Sequence, residues 1–366
     1  MNTSNLRILL LCLLLTGFMG CEGAEKAIPP PELKNKIVYI SEQGICTINP
    51  DGTDLKVIVP LEKGGRFSNP RWSPDKMWIA CTGHAHGYKT IVLVKSDGSE
   101  LRTLGSLQSS KTTGEKGKSD RLKVEQGEYD ISFIAWSPDG KYMLSYPSPC
   151  PDCADFLLID RKGKKVFKLN GLYPAFCGED MVVYSFASPG TSVIRSDIFC
   201  YDLKEKTKKN LTNDGKLIYY SPVPSPDCLR IAYGFGDFTL YNELWMMDSD
   251  GSHRRRLVSQ NKDFVGGPLR VISFSPDGSK ILFLPDNGDK SNLYIINTDG
   301  GGLYVLVSGI VNASGGADWS PDGKSIAFSS NKDGKNEPYI VNVDGTGLRR
   351  LSTNTAGGCC PDWCSR

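Results

Sequence analysis

The chain has 366 residues, of which 39% are hydrophobic and 23% are charged, a composition that excludes a disordered chain and is typical of a folded globular protein. Its 43 lysine and arginine residues nearly balance 41 aspartate and glutamate residues, so the net charge of +2 argues against nucleic acid as a partner. The 39 glycines and 22 prolines are spread along the chain as turn residues, which predicts many short strands.

The N-terminus has the pattern of a secretory signal peptide over residues 1–20, because its apolar run at 8–15 is too short for a stable membrane span. The sequence "FMGC" that ends at Cys21 resembles a bacterial lipobox, in which the cysteine is acylated and becomes the mature N-terminus. The resemblance implies lipidation of Cys21 and membrane contact through this anchor only; an ordinary cleaved signal is the alternative. Residues 21–35 are then a tether stiffened by three prolines, and 36–366 form the folded domain.

Cysteine usage agrees with export. Of the 12 cysteines, Cys12 lies in the signal peptide and Cys21 in the lipobox, which leaves ten in a chain sent to a compartment where disulfides persist. Cys150 and Cys153 in "PCPDCAD" favour a local loop disulfide. A zinc half-site and a redox pair are the alternatives for these two residues.

A motif of the type W-S-P-D-G followed by an apolar strand recurs along the chain. Two copies are degenerate, "AFCGEDMVVYSF" in the middle and "DWCSR" at the end. The clear copies are "RWSPDKMWIACT", "AWSPDGKYMLSY", "VPSPDCLRIAYG", "SFSPDGSKILFL" and "DWSPDGKSIAFS". Most successive copies are 40 to 50 residues apart, but 64 residues separate Trp72 from Trp136, where a polar, lysine-rich insertion lies. Repetition at this period predicts a repeat architecture.

Each repeat has the same internal order of four short strands. Pro-Asp-Gly joins the first two strands, a variable loop follows the second, and an Asp-Gly turn such as "NVDGT" joins the last two. Four antiparallel strands at this spacing are typical of a propeller blade. The repeats resemble the TolB-type propeller family, with its WD-like repeats, over residues 36–366. The resemblance implies a β-propeller and leaves the function open, because this repeat serves many unrelated proteins.

The repeat count predicts an all-β, seven-bladed β-propeller with four-stranded antiparallel blades; six blades are the alternative. Residues 36–60 contain three strands without the motif strand, and the terminal "CPDWCS" supplies it. We therefore expect the N- and C-terminal strands to pair and close the ring, which removes two exposed edges. Cysteines near both chain ends are candidates for a disulfide that fastens this closure, with the pairing left open: Cys46, Cys359, Cys360 and Cys364.

The antiparallel order predicts two unlike faces. One, the turn face, carries the Pro-Asp-Gly and Asp-Gly turns. The other, the loop face, carries the irregular connections between second and third strands and between repeats. We expect binding at the loop face, around a central funnel, because rigid blades can hold variable loops there. The expected partner is a protein, a peptide or an envelope polymer, and we expect a monomer.

The sequence gives only weak signals for a metal site or for catalytic carboxylates. His84 and His86 in "GHAHG" fall on the loop face, but two histidines without a third ligand are typical of ordinary loop residues, so we expect no metal and no cofactor. The aspartates of the Ser-Pro-Asp motifs are expected to accept hydrogen bonds within their own turns. The motif tryptophans are expected to pack between blades.

Enzyme signatures are also weak. No G-x-S-x-G motif occurs, although an α/β-hydrolase domain of the prolyl-oligopeptidase type would require it. Pectin-fragment lyases, a similar propeller family, use several histidines around a metal, and this chain has three histidines. We expect a membrane-tethered binding or scaffold module in the periplasm or at the cell surface. A glycan lyase or hydrolase with its site in the central funnel is the alternative.

Overall fold

The computed structural model describes residues 35–85, 88–104, 130–148, 155–187, 195–213, 218–236, 242–259, 268–285, 291–310, 316–351 and 357–364. Within these ranges the regular secondary structure consists of β-strands, and none of the chain described there forms a helix long and apolar enough to cross a membrane. The predicted signal peptide, and the predicted tether apart from Asn35, lie outside the described residues.

Five sheets are four-stranded antiparallel blades. The closure blade contains β1 (Ile37–Ser41), β2 (Gly44–Ile48) and β3 (Lys56–Pro60) with the last strand of the chain, β28 (Gly358–Trp363). Blade A contains β4 (Arg66–Trp72), β5 (Trp78–Ala85), β6 (Tyr88–Lys95) and β7 (Leu101–Leu104). Blade B contains β8 (Asp130–Trp136), β9 (Tyr142–Ser148), β10 (Asp155–Asp160) and β11 (Lys165–Asn170). Blade C contains β20 (Leu269–Phe274), β21 (Lys280–Pro285), β22 (Ser291–Asn297) and β23 (Tyr304–Ile310). Blade D contains β24 (Ala317–Trp319), β25 (Ser325–Ser330), β26 (Glu337–Asn342) and β27 (Arg349–Arg350).

The remaining eight strands form one continuous sheet between blades B and C. Its first half contains β12 (Leu172–Cys177), β13 (Met181–Ala187), β14 (Ser196–Asp202) and β15 (Lys208–Asn210). Its second half contains β16 (Ile218–Pro224), β17 (Arg230–Gly236), β18 (Asn242–Asp248) and β19 (Arg255–Val258). Within each half the strands are antiparallel, and β14 pairs with β16 in parallel at Ser196 and Ile218.

The predicted count of seven blades, and the alternative of six, are both wrong, because the described residues form five four-stranded blades and this eight-stranded sheet. The reason lies in the length of β15. That strand has three residues and pairs only with Phe199–Tyr201 of β14, so the edge of β14 at Ser196 is left for β16. The Ser196 hydroxyl also donates a hydrogen bond to the Tyr219 carbonyl (2.7 Å). An unpaired strand edge is a ready template for a neighbouring strand.

The predicted all-β propeller and its closure are confirmed. Strand β1 pairs antiparallel with β28, with Ile37 opposite Trp363 and Ser41 opposite Gly358. The backbone N–H of Cys364 adds a hydrogen bond to the Lys36 carbonyl (2.8 Å). The two ends of the domain thus complete one blade, and each end covers the edge of the other.

The first strands of successive sheets surround the centre of the ring. Strand β4 contacts β8, β16 contacts β20, and β20 contacts β24. Strand β24 contacts β28, and β28 contacts β4. Residues of neighbouring first strands therefore lie close to one another.

The hydrophobic core lies between neighbouring sheets. Trp72 packs against Val38 and Ile40 of the closure blade and Ile79 of its own blade. The predicted packing between blades is found for Trp136 and Trp319 as well, and Trp363 of the closing strand is buried in the same way. Each buried tryptophan links two sheets and is worth about 3–5 kcal/mol relative to alanine.

Candidate functional site: the inner ring and its closure

The Ser-Pro-Asp turns share one hydrogen-bond pattern on the turn face. In blade D, Ser320 Oγ donates to Asp322 Oδ1 (2.6 Å), which also accepts from the Lys324 N–H (3.1 Å). Ser320 Oγ accepts from the Ser325 N–H (2.9 Å). The same pattern occurs in the pairs Ser73–Asp75, Ser137–Asp139, Ser225–Asp227 and Ser275–Asp277. Each carboxylate is engaged in its own turn, as the sequence predicts.

These hydrogen bonds hold the turn carboxyls in the ionised form. The Ser320 hydroxyl and the Lys324 N–H lower the pKa of Asp322 below its usual value, against the opposing effect of partial burial. The pKa is lowered in the same direction at Asp75, Asp139, Asp227 and Asp277. Burial is the largest single influence at Asp75 and Asp139, and it opposes the shift, but the combined hydrogen bonds outweigh it.

Three charged side chains connect blade D, the closure blade and blade A at the inner ring, which is the set of first strands around the centre of the propeller. Asp318 of β24 accepts the Trp363 N–H of β28 at Oδ2 (2.7 Å). Asp362 of β28 accepts the Trp72 N–H of β4 at Oδ2 (2.7 Å). Arg71 of β4 donates from Nη1 to Asp362 Oδ1 (2.9 Å). We call Arg71, Asp318 and Asp362 the closure triad, because it crosses the place where the two chain ends meet.

The closure triad is surrounded by protein but keeps limited access to solvent. The side chain of Arg71 is 34% exposed and that of Asp362 is 13% exposed, as expected for groups at the centre of a ring. Burial, together with the nearby charge of Asp362, raises the pKa of Asp318 to about 7, although Arg71 opposes this. Burial likewise raises the pKa of Asp362 against the effect of Arg71. Burial alone would lower the pKa of Arg71, but the two carboxylates outweigh it and raise that pKa. One cation therefore serves two carboxyl groups, and Asp318 exchanges its proton near neutral pH.

The first strands share a bulge that is built on unusual backbone angles. Four non-glycine residues, each followed by proline, have positive φ: Asn69 (51°), Tyr173 (53°), Ser221 (48°) and Cys360 (62°). The strand register shifts at each of these positions. The bulge aims backbone N–H groups at the preceding sheet, so the Tyr173 N–H donates to Tyr146 Oη (2.8 Å) and the Cys360 N–H donates to Ser329 Oγ (2.7 Å). Residues other than glycine rarely adopt this region, and such strain often marks functional sites.

The loop-face end of β12 carries exposed apolar side chains. First strands begin at the loop face and run towards the turn face, so Leu172 and Tyr173 lie at the loop-face end. Leu172 is 41% exposed and Tyr173 is 45% exposed. This end of the eight-stranded sheet therefore presents an aliphatic and an aromatic side chain close to the inner ring.

Several residues that the sequence singled out lie outside the described part of the chain: Cys21, His86, Cys150 and Cys153. The predictions of lipidation at Cys21 and of a loop disulfide between Cys150 and Cys153 remain predictions. His84 is described near the loop-face end of β5, where its Nε2 lies 2.8 Å from Ser68 Oγ. Within the described ranges, no group of three or more histidine, cysteine, aspartate or glutamate side chains is arranged to hold a metal.

The closure cysteines are free thiols in this structure: Cys46, Cys359, Cys360 and Cys364. Cys46 lies on β2, where its Sγ is 3.2 Å from Ser41 Oγ. The predicted disulfide across the closure is therefore not formed here. Strand pairing and the closure triad hold the two chain ends together.

Three clefts in the described part of the chain open on the turn face. A cleft of about 480 Å³ beside blade B is lined by basic side chains, including Lys141, Lys164 and Lys165. A second cleft of about 310 Å³ lies between blade D and the closure blade, against Arg349. A third of about 180 Å³ lies between the Ser-Pro-Asp turns of blades C and D. Most of the loop face lies outside the described residues, so the prediction that a partner binds there remains a prediction.

The closure triad was not predicted from the sequence, although a signal for it is present. In "ADWS", "PDWC" and "PRWS", a charged residue directly precedes the motif tryptophan. These are the positions of Asp318, Asp362 and Arg71, and the other repeats have uncharged residues there. A charged residue confined to three repeats that meet at the closure marks this site.

Comparison with known proteins supports a TolB-like propeller. A family model described as "TolB beta propeller domain" matches residues 198–366. No curated protein matches the chain significantly.

Three solved structures share the fold at low sequence identity. TolB from Acinetobacter baumannii has 15% identity and a TM-score of 0.53, over 92% of this chain and 68% of that one. The tricorn protease has 11% identity and a TM-score of 0.60, over 90% of this chain but 34% of that one, so this chain spans about a third of it. Oligogalacturonate lyase in complex with manganese has 13% identity and a TM-score of 0.58, over 87% of this chain and 86% of that one. At these identities the likeness concerns the fold alone.

Proposed function

We propose that this TolB-like propeller is an exported binding module, anchored to a membrane through Cys21, that holds a protein, a peptide or an envelope polymer on its loop face. The observation that carries the proposal is the apolar surface of Leu172 and Tyr173 at the loop-face end of an inner strand. Aromatic side chains are enriched where proteins bind partners, and Tyr173 is held in a strained backbone conformation.

The rigidity of the ring supports a binding role. The turn-face carboxylates are engaged in their own turns, and Asp318 and Asp362 accept the N–H groups of neighbouring strands. Arg71 is paired with Asp362. These charged groups stabilise a framework, and a rigid framework lets variable loops present a defined surface with little loss of entropy on binding.

The partner is best sought by crosslinking followed by mass spectrometry on intact cells that produce the chain. We expect a crosslinked partner with the native chain and less of it with Leu172→Ser, because the substitution removes apolar surface from the loop face. Leu229→Ser is the matched control, since Leu229 is 65% exposed on the same sheet but lies in a turn-face loop. Equal loss of the partner with both variants, or no partner with the native chain, would overturn the proposal.

The membrane anchor has its own test. Cys21→Ser removes the acylated residue, and we expect the chain to move from the membrane fraction to the soluble fraction after cell fractionation. Cys12→Ser, within the predicted signal peptide, is the matched control and should leave the chain in the membrane fraction. Unchanged membrane association of Cys21→Ser would contradict the anchor and leave the loop-face proposal to its own experiment.

A lyase or hydrolase remains the competing function. Its direct test is incubation of the purified chain with oligogalacturonate and manganese, followed by ultraviolet absorbance of the unsaturated product for a lyase and by a reducing-end assay for a hydrolase. We expect no turnover. Product formation that depends on the added chain would replace the binding proposal by an enzymatic one.

A further inference from the structure

Two adjacent cysteines lie on the inner strand of the closure blade, next to the closure triad. Cys359 and Cys360 of β28 have their Sγ atoms 2.9 Å apart, within hydrogen-bond contact. Cys360 is 9% exposed, and Cys359 is more accessible. Cys360 is also the bulge residue of this strand, with φ of 62°. Two thiols are thus held together at a strained point of the ring closure.

The surroundings of Cys360 favour its thiolate. The hydrogen bond between the two thiols lowers the pKa of Cys360 to about 7, against the effect of burial, and raises the pKa of Cys359. The Asn69 backbone N–H and the Arg71 guanidinium act in the same direction. Burial acts alone at Cys81 and raises its pKa. A thiolate in a positively charged environment is the reactive form of cysteine.

From this arrangement we infer that Cys359 and Cys360 form a reversible dithiol site that reacts with hydroperoxides. The Cys360 thiolate attacks the O–O bond, so that Cys360 becomes a sulfenic acid and the other oxygen leaves as alkoxide or hydroxide and takes up a proton. The Cys359 thiol then attacks the Cys360 sulfur. A Cys359–Cys360 disulfide forms, and water leaves with the thiol proton. Two thiols lose two electrons in total, and one peroxide bond is reduced.

Burial and charge select this class of oxidant. Cys360 is too buried for a protein disulfide to reach, whereas a hydroperoxide is small. The charge of Arg71 favours the Cys360 thiolate. Arg66 acts in the same direction on Cys359, but the hydrogen bond with Cys360 and burial raise the pKa of Cys359 overall. These two cationic side chains also disfavour a metal cation between the thiols.

The resulting disulfide would be easy to reduce. Cα atoms joined by a trans peptide are about 3.8 Å apart, whereas disulfides usually join Cα atoms about 4.4–6.8 Å apart. A bond between neighbouring cysteines is therefore strained, and strain makes a disulfide more reducible. A small dithiol can therefore return the site to its two thiols and is itself oxidised to a disulfide, so that the site cycles and is not a permanent structural crosslink.

The test uses the native chain, purified and fully reduced. After exposure to hydrogen peroxide and alkylation, mass spectrometry should show that the peptide with Cys359 and Cys360 has lost two hydrogen atoms and that dithiothreitol restores both thiols. Because this peptide also contains Cys364, the Cys364→Ser variant must show the same loss. Alkylation of Cys359 and Cys360 to the same extent before and after peroxide would overturn the inference. So would oxidation by glutathione disulfide without oxidation by peroxide.

Two variants assign the roles of the thiols. Cys359→Ser should accumulate a sulfenic acid at Cys360 that a dimedone probe captures, with a rate that rises with pH as the Cys360 thiol ionises. In Cys360→Ser, dimedone labelling of Cys359 at pH 7 should be about tenfold lower than labelling of Cys360 in Cys359→Ser. The reason is that an ordinary thiol with pKa near 8.5 is only a few per cent ionised at pH 7. Equal labelling in both variants would contradict the assignment of Cys360 as the attacking thiol.

Discussion

At the scale of single residues, this propeller contains two groups of aspartates whose pKa values shift in opposite directions. Hydrogen bonds in the Ser-Pro-Asp turns lower the pKa of Asp322 and its equivalents. Burial, with the nearby charge of Asp362, raises the pKa of Asp318 to about 7. The turn aspartates therefore contribute to stability above their usual pKa, because N–H and O–H donors surround them. Asp318 contributes at low pH, because it is buried beside a second carboxylate.

The two groups predict opposite effects of pH on the free energy of unfolding. Asp318 releases its proton more readily in the unfolded chain, so its contribution is fully present below about pH 4 and is lost as pH rises towards 7. The native chain should therefore lose stability relative to Asp318→Asn over this window. Asp322 contributes above its usual pKa of 3.8 and loses that contribution as pH falls.

Chemical denaturation at a series of pH values measures both effects. Asp322→Asn is the matched comparison for Asp318→Asn, and the two differences from the native chain should change with opposite signs as pH rises. A parallel change in the two differences would mean that the assigned surroundings of Asp318 are wrong.

A second prediction at this scale concerns the turn serine. Ser320→Ala removes a buried hydroxyl that accepts the Ser325 N–H and donates to Asp322, so we expect a loss of about 1–2 kcal/mol in unfolding free energy. Ser325→Ala is the control, because the hydroxyl of Ser325 makes an exposed hydrogen bond to Asn342 (3.3 Å) and should cost about 0.5 kcal/mol or less. Equal losses in thermal or denaturant unfolding would refute the structural role of the turn.

At the scale of elements, the junction of β24, β28 and β4 depends on the closure triad. Asp362→Ala removes the partner of Arg71 and the acceptor of the Trp72 N–H, so we expect a loss of about 3 kcal/mol, the low end for a buried ion pair, since Arg71 keeps some access to solvent. Asp362→Asn keeps an oxygen for the Trp72 N–H and should cost about 1–2 kcal/mol.

Denaturant unfolding of Asp362→Ala, of Arg71→Ala and of the variant that carries both substitutions completes a double-mutant cycle. We expect the double variant to be less destabilised than the sum of the two single variants. Additive effects would show that Arg71 and Asp362 do not stabilise each other.

Some features of the strands and sheets could be predicted from the sequence, and others could not. Strand order, the two faces and the closing pair β1–β28 were predictable, because a repeated motif carries each of them. The continuous eight-stranded sheet was not, since it depends on β15 stopping at three residues and on one parallel pairing at Ser196 and Ile218. The closure triad was missed because Arg71 and Asp362 lie 291 residues apart along the chain, and the charged residues before three motif tryptophans acquire a meaning only when the three strands are known to be neighbours.

At the scale of the whole molecule, closure makes the ring one cooperative unit. Deletion of residues 361–366 removes Asp362, Trp363 and Cys364, and it exposes the edge of β1. Loss of a buried tryptophan and a buried ion pair together should cost at least about 5 kcal/mol. Thermal unfolding should show one transition at lower temperature for the entire domain. An unchanged transition would mean that the closing strand contributes little to the fold.

For the whole molecule, we propose that the loop face, and not the turn face, receives the partner. A photoreactive phenylalanine analogue placed at Tyr173 tests it most directly, with the same analogue at Leu229 as the turn-face control on the same sheet. Both positions are exposed and apolar, so they differ mainly in the face that they report on. After irradiation of intact cells, we expect a defined crosslinked product from position 173 and none from position 229. A product from position 229 alone would contradict it.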